Sequence, residues 1–130
     1  MKKRFKVIVI GQNPADRNSR KKDFSFNNAS ALGRLNNWMD KVGVKFYSFS
    51  NAVSTPGKVT KDMIDYDRLV QLCKGYKNVL ALGEFPSKAL DKININHFKL
   101  PHPSGLNRQI NDHAFIEKRL TECKDYLCNI

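Results

Sequence analysis

Apolar and polar positions along this chain alternate between two periods, and the switches between them outline the fold. Phe5 to Ile10 (FKVIVI) is a short β-branched run ended by Gly11, the pattern of a strand buried on both faces. Leu32, Leu35, Trp38, Met39 and Val42 then recur at intervals of three and four residues. That spacing predicts a helix over about 30–42 with one apolar face, capped by Ser30 or Asn28 and stopped by Gly43. Val44 to Asn51 (VKFYSFSN) alternates large and small side chains and reads as a second strand. A helix over Tyr66 to Lys74 follows, then a third strand, Asn78 to Leu82, closed by Gly83. Pro86 to Lys92 is a short helix with proline near its first turn. His97 to Leu100 is a fourth strand. Ile116, Leu120, Cys123 and Leu127 mark one face of a last helix from about Asp112 to Leu127.

Strands and helices in strict alternation predict an α/β fold: three layers, α/β/α, around a four-stranded parallel sheet. At 130 residues the chain is expected to be a single domain spanning 1–130. Right-handed crossovers would bring the carboxyl ends of all four strands to one edge, where ligands bind in open sheets of this type. The polar residues after each strand are Gly11 to Ala15, Asn51, Gly83 with Glu84, and Pro101 to Arg108. The long polar stretch over 11–29 points to function rather than filler.

Charge sharpens this picture. Twenty-three Lys and Arg against twelve Asp and Glu give a formal net charge of +11. The first 23 residues hold eight of those bases and only two acids. A basic cluster beside a ligand loop suits a polyanion, since each neutralised phosphate releases counterions. Arg17 and Lys21, in that cluster, are candidate contacts to nucleic acid; the bland reading is a solvated face. No apolar stretch approaches the roughly 18 residues of a membrane span. The basic Met1-Lys2-Lys3-Arg4 start leads into a strand rather than a secretion signal, so a cytoplasmic monomer is expected. Three cysteines (Cys73, Cys123, Cys128) are odd in number and lack paired spacing, and the three histidines lack helical ligand spacing. Free, mostly buried thiols are expected, with no metal and no cofactor.

Two segments remain, and together they carry the chemistry. Gly11-Gln12-Asn13-Pro14-Ala15 follows the first strand, and His102-Pro103-Ser104-Gly105-Leu106-Asn107-Arg108 follows the fourth. Their order and types resemble the uracil-DNA glycosylase superfamily, whose first loop reads Gly-x-(Asp/Asn/Glu)-Pro-x and whose late loop reads (His/Asn)-Pro-Ser-x-x. The resemblance implies that fold for nearly the whole chain and roles at the matching positions. Asn13 would hold the water that attacks the anomeric carbon. His102 would donate to the base O2 as negative charge builds there. Asn51 would pair with the pyrimidine edge, with Gln12 beside the base. Phe26, thirteen residues after Asn13, would stack on the base, with Phe24 the neighbouring option. Leu106 would wedge into the duplex, and Ser104, Gly105, Asn107 and Arg108 would lie against DNA. Asn13 and the Gly105-to-Arg108 continuation are similar to the mismatch-specific branch, Asn13 also to the single-strand-selective one, and His102 to the uracil-specific one. Ala15 stands where the uracil-specific branch has a methyl-excluding tyrosine.

The implied reaction is monofunctional hydrolysis of the N-glycosidic bond of uracil or a modified or mismatched pyrimidine in single- or double-stranded DNA. Stabilising a pyrimidine anion is most of that task, and flipping the nucleotide requires a platform and a plug. An amide at position 13 cannot take a proton from water. The alternative is therefore a binding module of the same fold that grips nucleic acid without chemistry. Asn13 either serves the water or shapes a turn, and Phe26 either stacks on a base or belongs to the core.

Overall fold

The computed structural model describes residues 6–13, 31–55, 57–104 and 108–128. Four parallel strands form one sheet in the order β2-β1-β3-β4. They are β1 (Val7–Gly11), β2 (Ser48–Asn51), β3 (Asn78–Leu82) and β4 (Phe98–Leu100). The helices are α1 (Ala31–Val42), α2 (Tyr66–Cys73), α3 (Glu84–Lys92) and α4 (His113–Cys128). The three-layer α/β/α expectation holds.

Strand pleat explains why β1 is apolar throughout. Successive side chains point to opposite faces, and both faces are covered. Val7 and Val9 join Leu80, Leu82 and Leu100 beneath α1 and α4, with Leu35, Trp38, Met39, Ile116, Leu120, Cys123 and Leu127. Ile8 and Ile10 join Val79 and Ala81 beneath α2 and α3, with Leu69, Cys73, Ala89 and Leu90. Asp112 caps α4, its Oδ1 accepting from the Phe115 amide at 3.1 Å. Asp65 caps α2 in the same way through the Arg68 amide, also at 3.1 Å.

Several boundaries differ from the sequence expectation. The second strand is Ser48–Asn51 rather than 44–51. Its register pairs Ile8 with Ser48, and the Val44 amide bonds back to Met39 at the end of α1 instead. Gly11 lies inside β1, and α3 begins at Glu84 rather than Pro86. Leu32 is exposed, so the apolar stripe of α1 starts at Leu35. Cys128 is exposed, whereas Cys73 and Cys123 are buried as expected. Short 3-10 turns at Lys61–Met63 and Arg108–Asn111 carry no periodic signal. The expected α1 caps, Asn28 and Ser30, lie outside the described residues.

Away from the carboxyl edge, Ser87 and His97 form a clasp between α3 and the start of β4. His97 Nδ1 donates to the Ile95 carbonyl at 2.8 Å, so Nε2 accepts from the Ser87 hydroxyl at 2.8 Å. Among the described residues, no helix is long and apolar enough to cross a membrane.

Candidate functional site

The order β2-β1-β3-β4 means that the chain moves to one side after β1 and to the other after β2. The carboxyl ends of β1 and β3 therefore flank the switch point at which such sheets bind ligands. Around it lie residues 11–13, 51–53, Gly83 and 101–104.

On the β1 side, two loops leave the sheet zipped together. The Ala52 amide donates to the Gly11 carbonyl at 2.8 Å, and the Val53 amide donates to the Gln12 carbonyl at 3.0 Å. Asn13 extends the zipper with its side chain, Nδ2 donating to the carbonyls of Thr55 (3.1 Å) and Gly57 (2.7 Å). Both partners can only accept, so the amide orientation is fixed with Nδ2 toward the loop. Oδ1 is left as the acceptor of this group.

Gly11 matters here for what it lacks. A Cβ at this position would stand 2.6 Å from Asn51 Oδ1 and 3.0 Å from Phe49 Cζ. The Asn51 carboxamide and the Phe49 ring thus lie across the end of β1, on the α1 and α4 face of the sheet. Arg68, from the first turn of α2, holds the other side of this strand end. Its Nη1 donates to the Asn51 carbonyl at 3.1 Å, and its Nη2 donates to Ser50 Oγ at 3.4 Å.

His102 follows β4, and its ring packs on Gly83 at the end of β3. The Gly83 amide donates to the Leu100 carbonyl at 2.8 Å, continuing the β3–β4 pairing past β3. Gly83 itself sits at φ 89°, ψ −175°, a backbone conformation essentially confined to glycine. A Cβ there would stand 3.3 Å from His102 Cβ.

The Ser104 amide donates to His102 Nδ1 at 3.1 Å. With Nδ1 accepting, the neutral ring carries its proton on Nε2. Burial pushes the His102 pKa below its ordinary value of 6.5, because desolvation disfavours the imidazolium. The loop is tethered from α1 as well, Arg34 Nη1 donating to the Pro103 carbonyl. From α4, Arg119 donates to the Lys99 carbonyl and lies over the Phe98 ring, 4.2 Å from its centroid.

Of the residues expected from sequence, Gln12, Asn13, Asn51, His102 and Ser104 lie at this one edge. Arg108 is exposed in the 3-10 turn that leads to α4. Phe24, Phe26, Arg17, Lys21, Ala15, Gly105, Leu106 and Asn107 lie outside the described residues. Arg34 and Arg68 stand at this edge without having been singled out from sequence, and Gly83, expected there, packs on His102. The two arginines grip backbone carbonyls, which no side-chain motif announces. Gly83 had only the punctuation of a strand end. Among the described residues, no cluster of His, Cys, Asp and Glu could hold a metal ion.

The family model described as the uracil DNA glycosylase superfamily matches residues 1–126. No curated protein matches the chain.

Proposed function

The chain belongs to the uracil DNA glycosylase superfamily, and from that membership we propose that it hydrolyses the N-glycosidic bond of uracil, or of a modified or mismatched pyrimidine, in DNA. The family acts on DNA and is one of glycosylases in general. Asn13 and His102 are the catalytic pair of the proposal. The observation that carries it is the Ser104-to-His102 hydrogen bond, which makes Nε2 the donor of a neutral imidazole.

The C1′–N1 bond breaks and its electron pair moves onto the base, chiefly onto O2 and N1. An Nε2–H aimed at O2 stabilises that anion as it forms; removing such a donor typically slows a reaction about 10²–10³-fold. A neutral ring suits the task because the Ser104 amide needs the Nδ1 lone pair. Protonation would set two donors against each other and break the loop contact. Water then adds to the oxocarbenium-like sugar, oriented by a hydrogen bond to Asn13 Oδ1. Asn13 is not a base. The water proton leaves once the new C–O bond makes it acidic, and it ends on the departed base or in solvent. An abasic site and a free base are the products.

Asn51 supplies recognition. Its carboxamide both donates and accepts, matching the O4 and N3–H of uracil, while cytosine presents the reverse pattern. Phe26 and Leu106 complete the proposal as platform and wedge for the flipped nucleotide. Ser104, Gly105, Asn107, Arg108, Arg17 and Lys21 face the backbone. No cofactor enters the reaction, and the enzyme works as a monomer in the cytoplasm.

Oligonucleotides carrying one uracil, single- and double-stranded, test the reading when incubated with the protein and then treated with alkali. Strand cleavage at the uracil is the expected result. Retention of DNA without cleavage points instead to a binding module, a reading that the Asn13 tether to Thr55 and Gly57 would then serve as a purely structural device.

A further inference from the structure

In a chain this basic, an arginine at the rim of a DNA site is naturally read as a phosphate contact. Arg68 is differently placed. Its backbone amide is tied to the Asp65 cap at 3.1 Å, which anchors the root of the side chain on α2. Its guanidinium is half-buried and forks to two acceptors at the end of β2, the Asn51 carbonyl and Ser50 Oγ. β2 is an edge strand of four residues with one neighbour, β1. Such an end frays unless something holds its outer side. β1 holds one side of Asn51 through the Gly11 pairing; Arg68 holds the other.

An asparagine alone reads uracil poorly. Rotation of its amide by half a turn exchanges donor and acceptor and presents the pattern that cytosine satisfies. Selection therefore requires a carboxamide held in one orientation at one place, and the second of these depends on the backbone that carries it. We propose that Arg68 is a positioning residue for base selection, fixing the Asn51 peptide so that its carboxamide meets the base edge in one geometry, and that it is not a phosphate contact. The inference rests on the glycosylase reading above and deepens it.

The two roles separate experimentally. Arg68→Met, Arg68→Lys, Asn51→Ala and the Arg68→Met/Asn51→Ala double variant are compared on oligonucleotides carrying uracil or cytosine. The readouts are kcat/KM for base release, thermal melting, and the salt dependence of DNA binding. A positioning role lowers kcat/KM on uracil about tenfold in Arg68→Met, narrows the preference for uracil over cytosine, and leaves the salt slope unchanged. The loss vanishes in the Asn51→Ala background, because Arg68 acts through that residue. Arg68→Lys falls between, since an ammonium keeps the charge but not the fork. A phosphate contact gives the opposite: uniformly weaker binding, a salt slope reduced by about one, and intact base preference. That result overturns the inference, as does an additive loss in the double variant or wild-type behaviour of Arg68→Lys and Arg68→Met. Should Arg68→Met not fold, the Lys variant with and without Asn51→Ala carries the same comparison. If the wild-type protein releases no base at all, the glycosylase reading fails, and the salt-slope arm still decides whether Arg68 touches phosphate.

Discussion

Replacing Gly83 with alanine perturbs His102 without touching it chemically. The backbone at Gly83, φ 89° and ψ −175°, strains any residue with a side chain by about 1–3 kcal/mol. The new Cβ would also stand 3.3 Å from His102 Cβ, 3.6 Å from Cδ2 and 3.8 Å from Cγ. The crowded atom is the root of the histidine side chain, so the ring cannot swing clear by a rotamer change. His102 has to shift by a few tenths of an ångström. Its bond from the Ser104 amide is already 3.1 Å long, near the upper end of useful N–H donor distances. Misplacement by about 1 Å costs about 10²-fold in rate, so a shift of this size should slow base release by about tenfold. Gly43 provides the control, with φ +87° and nothing within 4 Å of an added Cβ. Gly43→Ala adds backbone strain of about 1–2 kcal/mol at the far end of α1 and leaves His102 alone. Urea unfolding and single-turnover base release, measured on both variants, separate the effects. Both should lose stability; only Gly83→Ala should lose rate per folded molecule. A Gly83→Ala protein that releases base at the wild-type rate, or a Gly43→Ala protein slowed equally, would show that Gly83 does not set the position of His102.

Three further outcomes are expected. The pH profile of kcat/KM should be flat near neutrality and fall in acid with a midpoint below 6.5, because burial depresses the His102 pKa and the neutral ring is the working form. The same group should contribute stability fully above about pH 6.5 and lose it as pH falls through the depressed value; a midpoint above 6.5 contradicts both statements. Asn13→Ala should lose about 1–2 kcal/mol in chemical denaturation, from two exposed bonds to Thr55 and Gly57, and also slow base release; unchanged stability sinks the tether. A thiol reagent under native conditions should modify Cys128, which is exposed, and spare Cys123, whose thiol burial pushes up to about 12; peptide mapping that finds Cys123 labelled would contradict its packing.

The layer order and the edge where the loops gather were legible because hydrophobic period records burial. β1 is apolar at every position since both its faces are covered, and α4 shows one stripe since one side is. Period failed where burial is partial. Val44 to Tyr47 alternate like a strand, yet Val44 belongs to the core beneath α1 while Phe46 projects into solvent. Leu32 matched the helical spacing and still faces water, because a stripe has ends that spacing does not mark. At the candidate site, Asn13, Asn51 and His102 were singled out because their side chains stand in segments that resemble family motifs. Arg34 and Arg68 were not, since Arg34 grips a main-chain carbonyl and Arg68 grips another beside the Ser50 hydroxyl. A carbonyl has the same chemistry at every position, so only its location in space identifies its partner. Gly83 was noticed as the end of a strand, but its contact with His102 joins positions brought together by the β3–β4 pairing.

Release of an intact base is the defining event of the proposed reaction. Single-turnover reaction of the protein with a uracil-containing oligonucleotide, followed by mass spectrometry of the small-molecule fraction, should yield free uracil and abasic DNA in equal amounts, with His102→Ala about 10²–10³-fold slower. Absence of free uracil from the wild-type reaction, or release by His102→Ala at the wild-type rate, would contradict it.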